Sequence, residues 1–218
     1  MSSIKLKHSG GNSVSLNPPS SAPSSSEVAF KLPSADGSAG QVLQTDGSGN
    51  LSWVTPALTM MDQWRLSDNV AVSANTTTGI YSNWERNDNN FSQIGSGMTE
   101  SSGVFTFPST GIYRVDCRWS VFATGSNNRY VSIRTELSTD GGSNYNQIAV
   151  TFTNIPNLGE TLDHATSDFV VDVTNASNFK VRTVASSNYA FTFAGNEWAG
   201  VNSNVQINSM TFTKLGDT

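Results

Sequence analysis

The 218 residues include a single cysteine, Cys117, two histidines, His8 and His164, and no run of Lys or Arg. One thiol per chain excludes an intrachain disulfide and a thiolate metal cluster built within one chain. Two histidines leave a catalytic triad with His164 as its one base outside the N-terminal segment, beside Asp163. The stretch Leu162-Asp163-His164-Ala165-Thr166 reads as a turn between strands, so no catalytic residue is assigned. Without clustered cations, phosphates and anionic lipids have no counter-charge, and neither a nucleic acid nor a membrane surface is expected as a partner. Nowhere do 18 apolar residues run together, and the first eight residues hold no apolar core of a signal peptide. The expected product is a soluble chain made in the cytoplasm, without membrane insertion.

Charge is also scarce. Only 13% of residues are charged, and Ser, Thr, Asn and Gly occupy the surface positions where Lys and Glu usually sit. The net charge of −5 falls entirely after residue 58, because Lys5, Lys7 and Lys31 balance Glu27, Asp36 and Asp46 before it. Good helix formers are few, while turn and strand chemistry is plentiful.

What is present divides the chain in two. Residues 1–57 read as an extended arm in which short apolar alternations stand between Ser, Pro and Gly stretches. Ile4 and Leu6, Val14 and Leu16, and Val28, Phe30 and Leu32 each fall on one face of an extended segment. Pro18, Pro19 and Pro23 mark a linker, and Asp46-Gly-Ser-Gly-Asn50 reads as the turn of a short hairpin. So few apolar side chains cannot offset the ordering of so long a segment, so the arm is expected to order only against sister chains or a larger body.

Residues 58–218 show period-two patterns between turn signals. The clearest sets Tyr113, Val115, Cys117, Trp119 and Val121 against Arg114, Asp116, Arg118 and Ser120. Others are Val131, Ile133, Thr135 and Leu137; Ile148, Val150 and Phe152; Phe169, Val171 and Val173; and Phe191 and Phe193. A phase change from Val205 and Ile207 to Met210, Phe212 and Lys214 suggests a β-bulge near Asn208-Ser209. Eight or more strands without a helical stretch predict an all-β antiparallel sandwich. A jelly roll is preferred over an up-and-down barrel because residues 69–79, 87–90 and 154–167 read as loops too long for hairpins.

Each candidate site has a plain alternative. Cys117 lies on an apolar strand face and reads as a buried small hydrophobe. Asp46-Gly-Ser-Gly-Asn50 and Asp140-Gly-Gly-Ser-Asn144 resemble oxygen-ligand calcium loops but lack the bidentate Glu, so they read as turns and no metal is expected. Arg114, Asp116 and Arg118 are expected to pair across strands with Arg134 and Glu136. They form either a solvated ladder or, facing a threefold axis, a set of charges fixing subunit register. Tyr81, Trp84, Tyr145, Tyr189 and Trp198 lie in loop-rich places. Trp198, directly after Asn196 and Glu197, suits stacking on a sugar ring while the polar groups take its hydroxyls; core packing or a subunit contact is the alternative.

Gly103-x-Phe105-Thr106-x-Pro108-x-x-Gly111-x-Tyr113, read as two strands joined by a tight turn, resembles the signature of the complement globular head and tumour necrosis factor superfamily. The resemblance implies a compact trimer of ten-stranded jelly rolls over about residues 60–215, with residues 83–86 and 212–215 loosely matching other landmarks. Residues 30–53, from Phe30-Lys31-Leu32-Pro33 to Leu51-Ser52-Trp53, are similar to segments of bacteriophage fibre and virion-surface proteins, as are residues 62–66 and 97–102 in character. Together these imply a non-enzymatic virion-surface protein, a homotrimeric fibre or spike. Its arm is expected to anchor to capsid or tail proteins, and its head to meet a host glycan or protein. No cofactor is implied. A capsid decoration protein is the alternative. A polysaccharide-degrading enzyme would need paired carboxylates about 5–9 Å apart, whereas the acids here are scattered singly. A cellular lectin or cytokine-like ligand is disfavoured by the lack of a signal segment and by the single cysteine, and animal-type immune recognition by the lack of a Gly-X-Y stalk.

Overall fold

Tyr113, Val115, Cys117, Trp119 and Val121 all lie on one side of an extended chain, and burying that side organises the larger part of the structure. The computed structural model describes residues 4–17, 19–24, 27–86, 93–123, 128–155, 161–195 and 207–218, and no helix occurs among them. The chain divides into two units, Met1–Ala57 and Leu58–Thr218.

The first unit holds two separate ribbons. Strands β1 (Ile4–Lys7) and β2 (Ser13–Leu16) pair antiparallel, with Ile4 opposite Leu16 and Leu6 opposite Val14, so the four aliphatic residues share one face. Strands β3 (Val42–Thr45) and β4 (Leu51–Val54) form the hairpin around residues 46–50. The alternating segment at Val28, Phe30 and Leu32 forms no strand. It is tied to the second ribbon by a single bridge, where Lys31 N–H donates to Gly49 O and Leu51 N–H donates to Lys31 O. The Trp53 indole N–H donates to Ala35 O at 3.0 Å and its ring packs over Gly37. Large apolar side chains of this unit remain outside: Ile4, Leu6, Val14, Leu16, Val28, Phe30 and Leu32 are each between 56% and 75% exposed.

The second unit is a two-sheet antiparallel sandwich. Its strands are β5 (Met61–Leu66), β6 (Val70–Val72), β7 (Thr76–Gly79), β8 (Trp84–Arg86), β9 (Gln93–Ile94), β10 (Thr99–Ser101) and β11 (Val104–Thr106). They continue with β12 (Gly111–Ala123), β13 (Asn128–Ser138), β14 (Asn146–Ile155), β15 (Thr161–Val173), β16 (Lys180–Ser187), β17 (Phe191–Phe193) and β18 (Ser209–Gly216). Sheet I runs β6-β17-β12-β18-β5-β8, with β15 along the other edge of β12 and β9 beside β5. Sheet II runs β10-β11-β16-β13-β14, with β7 also beside β16. The chain passes from sheet II at β11 to sheet I at β12, back at β13, and over again at β15 and β16, the crossing connections of a jelly roll.

Between the sheets lies an aromatic core. Phe105 meets Trp64, Trp84 and Phe212 at centroid distances of 5.2–5.4 Å, and Trp119 meets Trp84 and Phe193. The motif running from Gly103 to Tyr113 therefore serves packing. Phe105, Phe107 and Tyr113 are buried, and its two strands belong to different sheets rather than to one hairpin. Gly103 sits at φ +75°, and a Cβ there would fall 2.1 Å from Ile80 O, so both the turn and the close approach require glycine.

Four expectations give way to the structure. Residues 69–79 contain β6 and β7, and residues 154–167 are taken up mostly by the end of β14 and the start of β15, because backbone groups in these segments find ladder partners. Residues 87–90 lie outside the described residues, as does Val205. No bulge occurs at Asn208-Ser209. The chain bends at Asn208, whose side chain is buried, and the register of β18 against β12 slips instead beyond Lys214. Finally, Ile148, Val150 and Phe152 alternate as expected but face outward, while Ala149, Thr153 and Ile155 face the core.

Candidate functional site

Strand geometry settles the arrangement around His164. His164 lies within β15 directly opposite Ser120 on β12, not in a turn, and its Nδ1 is 2.7 Å from Ser120 Oγ. Neighbouring side chains on a strand point to opposite faces, so Asp163 turns away from His164. It accepts from Thr153 Oγ1 and from Asn154 N–H on the other sheet. Burial alone would raise the Asp163 carboxyl, but these bonds hold it below the ordinary carboxylate value. Ser120 is itself fully buried, and its hydroxyl also donates to Ile207 O at 3.3 Å. Asn208 completes a polar knot: its Oδ1 accepts from Ser120 N–H at 2.6 Å, and its Nδ2 donates to Ser120 O and Ala194 O. A serine without access to solvent and a histidine with no orienting acid among the described residues make a structural pin between β12, β15 and the entry to β18.

Cys117 is buried beside Thr135, with Sγ 3.8 Å from its Oγ1, and burial pushes the thiol up to about 12. Asp46 and Asp140 occupy matching turns. Asn50 and Asn144, each four residues on, donate both side-chain and backbone N–H groups to the carboxylate. Asp46 is lowered first by the Asn50 side chain and then by Ser48 N–H. Asp140 is lowered to about 2, first by Asn144 N–H, then by the Asn144 side chain and Ser138. Each carboxylate already accepts three hydrogen bonds from its own turn. Among the described residues no group of three His, Cys, Asp or Glu side chains is placed to hold a metal.

The two charged sets are not brought together. Arg114, Asp116 and Arg118 line the outward face of sheet I, whereas Arg134 and Glu136 line the outward face of sheet II, because β12 and β13 belong to different sheets. On sheet I, Asp116 stands opposite Asp168, and Arg114 Nη2 bridges them at 2.8 and 3.7 Å. Arg118 lines the same depression, with Thr166, Asp168 and Thr211, and has no ion pair among the described residues. On sheet II, Glu136 accepts from Arg182 Nε at 2.9 Å and pairs with Nη2 at 2.8 Å. Trp198, Asn196 and Glu197 lie outside the described residues. Of the other aromatics, Trp84 is a core residue whose indole donates to Ile80 O. Tyr145 carries the Arg182 guanidinium 3.8 Å from its ring centroid, and Tyr81 and Tyr189 are exposed.

One buried network escaped the sequence reading. Asp62, fully buried, accepts from Trp64 Nε1 at 2.9 Å, Met98 N–H at 2.7 Å and Arg86 Nε at 3.0 Å, while Arg86 lies over the Trp64 ring. The signal was present in the alternation Asp62, Trp64, Leu66, where a carboxylate occupies the apolar face of a strand and so demands partners.

The sequence matches no protein-family model and no curated protein. Solved structures with a similar shape include Eiger TNF from S. frugiperda, with a TM-score of 0.50 over 74% of this chain and 96% of that one at 10% identity. Murine APRIL is similar at pH 5.0 (TM-score 0.46, 72% of this chain and 98% of that one) and at pH 8.0 (0.48, 72% and 98%), each at 10% identity. The fold is a TNF-like jelly roll. At this identity the likeness to Eiger TNF speaks of shape alone, and the APRIL likenesses, below 0.5, add nothing to it.

Proposed function

We propose that the protein is a non-enzymatic structural component of a phage particle, a homotrimeric fibre or spike. Its N-terminal unit anchors to other virion proteins of the capsid or tail, and its jelly-roll head meets a glycan or protein of the host surface. The observation that carries this reading is the missing interior of the first unit. Seven large apolar side chains stand out from it, and the β1–β2 ribbon gathers four of them on one face. A segment that buries so little by itself takes its order from whatever covers it. The similarity of residues 30–53 to phage fibre segments supports a virion as that body.

Two features of the head suit a ring of copies. A cyclic trimer joins two different patches of each chain. Sheet I offers Arg118 and the outward Asp168, 64% exposed, as charges that set register between neighbours. Strand β14 offers a sheet edge with no charged residue or proline and an outward Phe152 that is 63% exposed, a surface that stable proteins keep covered.

The test is immunogold electron microscopy of purified phage particles with antibody raised against residues 58–218. Gold at a tail or vertex position is the expected result, and gold over the whole shell would replace the fibre with a decoration protein. Purified particles that lack the polypeptide would overturn the proposal.

A further inference from the structure

We propose that the outward face of sheet II, on its β7–β16 side, is a binding site for an acidic polysaccharide, one whose sugar rings carry carboxylates. This rests on reading the head as a surface-binding module, but not on its trimeric state. Pairing register fixes the layout. Lys180, Arg182, Val184 and Ser186 of β16 lie beside Ser138, Glu136, Arg134 and Ser132 of β13, and Gly79 of β7 lies opposite Val184.

Tyr81 supplies an aromatic surface. Its phenol end folds back across Gly79, where a Cβ would stand 2.1 Å from Cζ, so glycine is what lets the ring lie there. Val184 is buried while Tyr81 itself is 50% exposed. Tyr145 supplies a second ring, with the Arg182 guanidinium stacked on it and held in place by Glu136. Burial raises the Tyr145 hydroxyl, and the Arg182 guanidinium on its ring counters that rise.

Charge decides the class of ligand. A chain of net charge −5 here gathers three cations, Arg134, Lys180 and Arg182, against the single carboxylate of Glu136. Counting Asp140 in the adjoining turn still leaves the face positive. The sequence hides this cluster because its members come from two strands some fifty residues apart. Much of its hydrogen-bonding capacity is unused. Among the described residues Arg134 makes one long bond, from Nη2 to Thr77 Oγ1 at 3.3 Å, and neither it nor Lys180 has an ion pair. A sugar ring lays its C–H face on an exposed aromatic, while a carboxylate on that ring takes a guanidinium or ammonium. Arg182 is pre-oriented, so little freedom is lost when a ligand arrives. Three cations neutralise too few phosphates to favour a nucleic acid.

The experiment is calorimetric titration of the full chain with oligogalacturonate, with dextran of similar length, and with a single-stranded DNA oligonucleotide of matched charge, at low and high salt. Oligogalacturonate is expected to bind at low salt and weaken at high salt, with dextran giving no signal and DNA binding more weakly. Tyr81→Ala is expected to weaken binding by about tenfold and Lys180→Gln by about threefold, each with an unchanged far-ultraviolet spectrum. Should Tyr81→Ala fail to fold, Lys180→Gln carries the test alone, and a folded Lys180→Gln that binds uronate like the parent then overturns the site. Uronate bound no tighter than dextran or DNA, or a folded Tyr81→Ala that binds like the parent, would overturn the site. Either result leaves the sedimentation behaviour of the chain, and so the assembly reading, untouched.

Discussion

At the scale of single residues, the buried polar groups show what the alternation left open. Asp62 is tied to Arg86, Trp64 and Met98 with its carboxylate wholly buried, and removing it leaves the partly exposed Arg86 guanidinium with the Met98 carbonyl but no carboxylate. Breaking such a pair costs about 3 kcal/mol when one member keeps partial solvent access. Asp62→Ala is therefore expected to lower the midpoint of thermal unfolding by roughly 6–12 °C, read by circular dichroism. Cys117 shows the opposite balance, because burial favours the neutral thiol. Its folded pKa of about 12 lies above the unfolded value of 9.0, so its contribution is fully present below pH 9 and is lost as pH rises toward 12. Native protein at pH 8 is expected to react with a thiol reagent no faster than it unfolds, and Cys117→Val should flatten the decline in stability above pH 9. Fast labelling of the folded chain would contradict this. The cysteine's burial was legible from its place between Val115 and Trp119. The Ser120–His164 contact was not, since it joins residues 44 apart through a register that no local pattern encodes.

At the scale of elements, the strands were legible by period and less so by face. β12, β13 and β15 turn their apolar sets inward as the alternation implies. β14 reverses that assignment, because its inward side carries Thr153, which answers the Asp163 carboxylate; an aliphatic residue there would leave that group poorly satisfied. Period two says which residues share a face, and only tertiary partners say which face is buried. The consequence is an edge strand with apolar residues outside. Val150→Lys is expected to leave the melting temperature within a few degrees while shifting the sedimentation of the full chain toward smaller species; unchanged sedimentation would remove β14 from the interface. The β10–β11 turn is the other sensitive element. Gly103→Ala forces a side chain into the left-handed region and against Ile80 O, and is expected to cost more than about 2 kcal/mol in a denaturant titration. A cost under about 0.5 kcal/mol would mean that the turn and the chain at Ile80 relax independently.

For the whole molecule, the jelly roll was legible from the number of alternating strands and the absence of helical periodicity, while the loop lengths offered as support were partly strands. The Gly103–Tyr113 resemblance pointed to the right fold for a packing reason, since Phe105, Phe107 and Tyr113 build the core. Charge placement was legible as composition and hidden as geometry: Arg114 and Arg134 sit on similar strands yet face opposite sides of the sandwich. The same holds for the first unit. Its apolar alternations were visible in sequence, but only the structure shows that nearly all of them stay uncovered by the rest of that unit. An uncovered ribbon, an apolar edge strand and an Arg118 with no ion pair among the described residues are separate features that the proposed association would remedy together. Sedimentation velocity of the full chain at micromolar concentration tests this most directly. The predicted result is one species at three times the 23.3 kDa chain mass, and a well-folded species at the mass of a single chain would contradict it.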